Sequence, residues 1–462
     1  MKAGNKDTIV AIGTRAGEAA IGIVKLSGNK SINITDRIFK SKSGKKLKDL
    51  VTYSMLYGHI TDKDGNIIDE VIVSLMKSPR SYTREDIVEI NCHGGITATT
   101  KVLELCIEDG ARIAEPGEFT KRAFLNGRID LSQAEAVIDA VRSRTEQSLK
   151  IAAKNLRGDV GKEIRRLRGM IMDVMVQLEA SIDFVEEDLE TTPFIRLTGK
   201  VKKIKTELME LIKDEEKGEI IKNGVKIAIV GKPNVGKSSL LNLLSKKEKA
   251  IVTSIPGTTR DAVEEILYVE GIPLVLVDTA GIRKTKRTIE KIGVDRSLRY
   301  INEAELIILV LDGNRKIGKM DLEIIKRVKA KKTICCVNKS DLKQNLDIGK
   351  IGKYFDKKFI IKISALKGTG ISKLESRVRM IIMDNEDINL EEKIIVNSRH
   401  KGILKEVKNL LENAEKAMRF KMSEEFPSYD LKTSYDLMGE IIGETAGDDI
   451  LNRIFSNFCI GK

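Results

Sequence analysis

Gly231-Lys232-Pro233-Asn234-Val235-Gly236-Lys237-Ser238 follows the apolar run Val225–Val230 and has the spacing Gly-x-x-x-x-Gly-Lys-Ser. Such a loop turns its backbone N–H groups inward toward phosphate oxygens. Lys237 can then reach the β- and γ-phosphates and Ser238 can ligate magnesium, with Asn234, Val235, Gly236 and Ser239 as further contacts. Downstream, Thr253-Ser254-Ile255-Pro256-Gly257-Thr258-Thr259 supplies a loop in which the Thr259 hydroxyl can complete the magnesium shell and sense a γ-phosphate. Leu274-Val275-Leu276-Val277 reads as a buried strand ending in Asp278, an acidic partner for the magnesium shell, and Thr279, Ala280 and a switch glycine, Gly281, come next. After the apolar run Thr333–Val337 stands Asn338-Lys339-Ser340-Asp341. The Asp341 carboxylate can accept from the N1–H and exocyclic amine of guanine, donors that adenine lacks there, while the Lys339 stem lies on the ring face. Finally Phe359–Ile363 leads into Ser364-Ala365-Leu366, whose backbone amide can donate to the guanine carbonyl. Any one of these segments is as readily a solvated loop. All five in this order imply binding of GTP with magnesium.

These segments need a mostly parallel, doubly wound sheet to hold them, and the rest of the chain has a different character. At 462 residues it is long enough for about three domains, and an apolar fraction of 41% supports real cores. The first ~120 residues mix strand-like runs (Thr8–Ile12, Ile21–Leu26, Val71–Leu75, Ile87–Asn91) with turn signals, as in a small α/β domain. From Leu131 the pattern is helical: Val160, Ile164, Leu167, Ile171, Val174, Leu178 and Ile182 recur at steps of four and three. Ile403, Val407, Leu410, Leu411 and Ala414 make a second stripe, and Leu437, Met438, Ile441 and Ile442 a third. We therefore expect an α/β and all-α multidomain chain. Residues 1–120 form the N-terminal α/β domain, 121–217 the first part of a helical bundle, 218–385 an inserted Ras-like P-loop domain, and 386–462 the second part of the bundle. Insertion is tolerated where the module's ends lie close together.

No apolar run approaches a membrane span and residues 1–20 lack the apolar stretch of a signal peptide, so the expectation is a cytoplasmic protein with no membrane partner. The five cysteines have neither zinc-ligand spacing nor an even count. Cys335 and Cys336 fall inside an apolar run and read as core. The net charge of +13 suits a nucleic-acid partner, although lysines spread along the whole chain give the same sum without one.

Outside the nucleotide motifs, three segments resemble the tRNA modification GTPases of the MnmE (TrmE) family. They are Tyr82-Thr83-Arg84-Glu85-Asp86 through Glu89-Ile90-Asn91-Cys92-His93-Gly94-Gly95, Glu115-Pro116-Gly117-Glu118-Phe119-Thr120 through Arg122 to Leu131, and the terminal run Ile454 to Lys462. The resemblance implies a homodimer that works with an FAD-dependent partner protein in a heterotetramer on the wobble uridine of tRNA. It also implies an N-terminal domain that dimerises and binds 5-formyltetrahydrofolate or a related tetrahydrofolate. Residues matching the folate contacts are Lys25, Glu89, Arg128 and Lys462; the bases suit the folate's glutamate tail and Glu89 the pterin's amine. Lys25 and Arg128 exchange the basic type associated with their positions. Cys459 is either a small buried hydrophobe or, as the family's placement near folate implies, a thiol that takes part in chemistry.

Ras-like enzymes orient water with a glutamine just after the Asp-x-x-Gly switch, and Ile282 holds that position here. The resemblance points instead to Glu290 as the carboxylate that orients water. It also implies potassium in place of an arginine finger, with ligands from the Asn234 side chain and from carbonyls near Thr253, Ile255 and Thr258. The rival expectation is a ribosome-assembly GTPase of the related Era-like group, which shares the nucleotide motifs and has no folate affinity.

Overall fold

A computed structural model describes residues 7–15, 17–183, 192–213, 215–247, 265–277, 301–383, 393–420, 422–423 and 425–462. The chain forms two compact units, one of Met1–Val141, Ala153–Glu210 and Arg399–Lys462, the other of Arg142–Ala152 and Leu211–Ser398.

In the first unit, β1 (Ile9–Ile12), β2 (Ala19–Ser27), β3 (Phe39–Ser41), β4 (Ser54–Thr61), β5 (Ile67–Met76), β6 (Ile87–Gly94) and β7 (Arg112–Ile113) make one sheet in the order β3-β4-β5-β6-β2-β1-β7. Side chains alternate across it: Val71, Val73 and Leu75 are buried while Ile72 between them is exposed. Helices Ser31–Ile38 and Ile96–Glu108 cover the apolar face through Ile34, Ile38, Val102 and Leu105.

The same unit holds the bundle. Val160, Ile164, Leu167, Ile171, Val174 and Leu178 of helix Asp159–Asp183 are all buried, facing helix Glu425–Ile442. Arg168 Nε donates to the Tyr435 carbonyl at 3.0 Å, and Lys205 Nζ to Glu415 at 2.7 Å. Helices from before and after the nucleotide motifs therefore share one core. In the second stripe Val407, Leu411 and Ala414 are buried, whereas Ile403 and Leu410 are half-buried and Leu404 takes the inward place. The Ile182 side chain lies outside the described ones.

Glu135, on helix Leu131–Arg142, clamps the point where the chain re-enters the bundle. Arg399 donates to both of its carboxylate oxygens, at 2.7 and 2.9 Å, and His400 Nε2 lies 2.7 Å from one of them. Burial pushes the Glu135 pKa up, but the charge and hydrogen bond of His400, with those of Arg399, outweigh it and hold the carboxyl at about 2. A depressed folded-state pKa gives stability that is present above the unfolded value, 4.5, and lost as pH falls toward 2. Glu135→Gln should therefore melt below wild type at pH 7, with a gap that narrows as pH falls through that window in thermal scans. A gap unchanged down to pH 2.5 would contradict the assignment.

In the second unit, β8 (Val225–Val230), β9 (Glu265–Val269), β10 (Ile272–Leu276), β11 (Leu306–Asp312), β12 (Thr333–Asn338) and β13 (Ile360–Lys362) make a sheet ordered β13-β12-β11-β8-β10-β9. Every pairing is parallel except β9 with β10. β11 and β12 are buried along their whole length, as strands covered on both faces must be. Helices Lys237–Lys247, Lys319–Val328 and Ile371–Met383 contribute Leu240, Ile325 and Leu374 to the cores on either side. Ile151, from the stretch Arg142–Ala152, joins one of these cores. The carboxyl ends of the parallel strands share one edge, where an open α/β sheet binds its ligand.

Candidate functional site

At that edge β8 ends and the chain turns through Gly231–Gly236 into helix Lys237–Lys247. Gly231 and Gly236 have φ of 153° and 100°. A Cβ at Gly231 would lie 2.3 Å from the Val310 carbonyl oxygen, and one at Gly236 2.2 Å from Asn338 Nδ2, so only glycine lets the loop close. Lys237 Nζ donates to the carbonyls of Gly231 and Lys232, both at 2.8 Å, which parks its charge across the mouth of the loop. Burial lowers its pKa. Phosphate oxygens entering the loop would replace those two carbonyls with stronger, charged acceptors. Ser238 and Ser239 are exposed at the first turn of the helix, and Asn234 is exposed with φ of 62°.

The opposite end of the site is built around one buried amide. Asn338 Nδ2 donates to the Val235 carbonyl at 2.8 Å, and Asn338 Oδ1 accepts from Ala365 N at 2.9 Å. That side chain ties the phosphate loop to Ser364-Ala365-Leu366. Lys339 Nζ donates to Asp312 at 2.6 Å. Ser364 Oγ donates to Asp341 Oδ1 at 2.5 Å, and this bond is the chief cause holding the Asp341 carboxyl below the usual range. Asp341 is thus an acceptor whose other oxygen is not engaged by Ser364, and Leu366, two residues after Ser364, is exposed.

The first unit carries a second cluster. Lys25 on β2 and Glu89 on β6 are cross-strand neighbours, with Lys25 Nζ 3.7 Å from Glu89 Oε1. Lys25 Nζ lies 4.8 Å from the centroid of the Tyr82 ring and 5.2 Å from that of Phe119, and the Arg128 guanidinium lies 4.7 Å from that of Tyr82. The Lys25 pKa is pulled down first by burial, with the charges of Lys462 and Arg128 adding to it and Glu89 opposing. The chain terminus is held here. Gly461, at φ 92°, is backed against the Ile12 carbonyl, Gly117 N donates to Cys459 O, and Phe455 stacks obliquely between Phe124 and Phe458. The two N-terminal motif segments are tied together as well. Arg84 donates to the Asn126 carbonyl at 2.9 Å and Asn126 to that of Thr83 at 2.7 Å, while buried Arg122 bridges Asp7, Glu85 and Glu118.

Residues 8–128 match the family described as the GTP-binding protein TrmE N-terminus, and residues 131–459 match the MnmE helical domain. The chain is 46% identical over 457 residues to the tRNA modification GTPase MnmE of Alkaliphilus metalliredigens, covering 99% of each. The chain belongs to the MnmE family of tRNA modification GTPases. The MnmE of Clostridioides difficile is 46% identical over 456 residues and that of Thermoanaerobacter pseudethanolicus 48% over 457, again over 99% of both chains.

For a chain of the MnmE family, the structure places the P-loop, Asn338, Lys339, Asp341 and Ser364–Leu366 at one sheet edge and gathers Lys25, Glu89 and Arg128, with the charge of Lys462, into one cluster. Thr253, Ser254, Ile255, Pro256, Gly257, Thr258, Thr259, Asp278, Thr279, Ala280, Gly281, Ile282 and Glu290 lie outside the described residues. Asp312 and Tyr82 escaped the sequence reading as functional positions. Asp312 carried a signal, since it follows an apolar run in the sequence as Asp278 does; Tyr82 carried only its place in a family motif.

Cys459 is exposed, whereas the other four cysteines are buried. Burial pushes the thiol of Cys92 up to about 11 and those of Cys106 and Cys335 to about 12. Brief treatment of native protein with iodoacetamide at pH 7.5 should label Cys459 alone, and peptide mass spectrometry reads the outcome. Equal labelling of Cys92 would contradict this placement.

Proposed function

We propose that this chain is a potassium-stimulated, magnesium-dependent GTPase that acts as a homodimer. With an FAD-dependent partner protein in a heterotetramer, it modifies C5 of the wobble uridine of tRNA in the cytoplasm, installing an aminomethyl or carboxymethylaminomethyl group from a tetrahydrofolate one-carbon unit. The observation that carries this reading is identity to MnmE relatives over 99% of the chain, domains on both sides of the nucleotide site included. Among the described residues no helix is long and apolar enough to cross a membrane.

The residues suit these roles chemically. Lys237 and Ser238 would hold the phosphates and magnesium, and Asn338, Lys339 and Asp341 the base. Magnesium and potassium supply charge neutralisation as negative charge builds on the phosphates; Asn234, exposed at the crown of the loop, is a candidate potassium ligand. Burial lowers the Lys25 pKa and the charges of Lys462 and Arg128 add to it, beside a carboxylate and an aromatic face. Such a cluster is short of negative charge, which fits the carboxylates and flat ring of a folate.

Nucleoside mass spectrometry of tRNA from cells lacking this protein should show loss of the C5-substituted wobble uridine and its return on complementation. An unchanged nucleoside profile would overturn the proposal. The Era-like rival would leave that nucleoside intact and perturb ribosomal subunits instead.

A further inference from the structure

Lys232, the first variable residue of the phosphate loop, has two attachments. Its carbonyl accepts from Lys237 Nζ, and its own Nζ lies 2.5 Å from Asp321 Oδ2. Asp321 is 4% exposed, so this is a charge-assisted contact largely withdrawn from water. The same carboxylate oxygen accepts from Gly318 N at 2.9 Å, which caps helix Lys319–Val328. That helix is anchored by buried Ile325 and Val328. An unbroken chain of contacts thus runs from the phosphate-binding lysine, through the Lys232 carbonyl and side chain, to a carboxylate on a helix packed into the core.

We infer that Asp321 is a positioning residue for nucleotide binding, acting through Lys232 to hold the phosphate loop in register before the nucleotide arrives. Bound phosphates would hold the loop with their own N–H contacts, so the tether matters most in the free protein. Removing it makes binding supply the ordering, which weakens ground state and transition state alike. The inference rests on the nucleotide reading of this loop.

Its test uses the full-length protein, with GDP binding by calorimetry and GTP turnover under steady-state conditions. Lys232→Met leaves the helix cap intact, and Asp321→Asn keeps an acceptor for Gly318 N, so the two variants approach the pair from opposite ends. Each should raise the GDP Kd and the GTP KM about tenfold, with a much smaller change in kcat, and the double variant should be no worse than either single one. Lys232→Arg, which keeps the charge-assisted contact, should restore affinity. A pair that serves only stability would lower Tm and leave Kd untouched; unchanged Kd in both variants, or loss of kcat without loss of affinity, overturns the inference. Failure of the wild-type protein to bind GDP would instead remove the nucleotide reading beneath it.

Discussion

Glu290→Ala is expected to lower GTP turnover by about a hundredfold or more while leaving GTP affinity nearly intact, the pattern for losing a group that orients the attacking water. The expectation starts from Ile282, which stands where Ras-like enzymes place a glutamine and has no polar atom to offer. Charge stabilisation has a companion test. If potassium takes the place of an arginine finger, wild-type hydrolysis should be much faster in potassium than in sodium at equal ionic strength, and Asn234→Ala should erase the difference. The cation acts where charge develops in the transition state, so its removal should depress kcat more than binding. Identical wild-type rates in the two salts would reject the cation mechanism, and normal turnover by Glu290→Ala would reject the water-orienting role.

Asp341→Asn should weaken GTP binding by about a hundredfold, the scale for breaking a charge-assisted pair, and shift preference toward xanthosine triphosphate. An amide presents one donor and one acceptor where guanine needs two acceptors, and xanthine supplies the complementary pattern. Because Ser364 holds Asp341 below the usual carboxylate range, wild-type guanine affinity should not fall between pH 8 and pH 5 through titration of this group. Competition binding with GTP, ATP and xanthosine triphosphate reads the result. Unchanged GTP affinity in the variant would refute the assignment of the base site.

Local chemistry made the nucleotide site legible. Gly231, Gly236, Lys237 and Ser238 act within one turn of chain, so their spacing alone dictates where N–H groups, ammonium and hydroxyl point. Asp341 stands out for the same reason, since the role proposed for it depends on three neighbours in sequence and on the apolar strand before them. The stripe Val160 to Leu178 announced a buried face. It did not say that helix Glu425–Ile442 would cover it, because every amphipathic helix offers the same period whichever partner it meets.

What remained for tertiary structure are the contacts whose partners lie far apart along the chain. Asn338 reaching both Val235 and Ala365, Asp312 holding Lys339, and Asp321 holding Lys232 each depend on which strand ends share the sheet edge. Lys25, Glu89, Arg128 and Lys462 come from separate elements and the chain terminus, and only the packing of Phe455, Phe458 and Gly461 brings the last of them near the others. Sequence by itself determined the local geometry of the phosphate loop and the inward faces of the helices, and it nominated Asp341 for the guanine-selecting role. Folding decided which distant charges meet, because an ionic or hydrogen-bonded contact depends on distance in space, and that is set by the burial of apolar faces whose pattern names no partner.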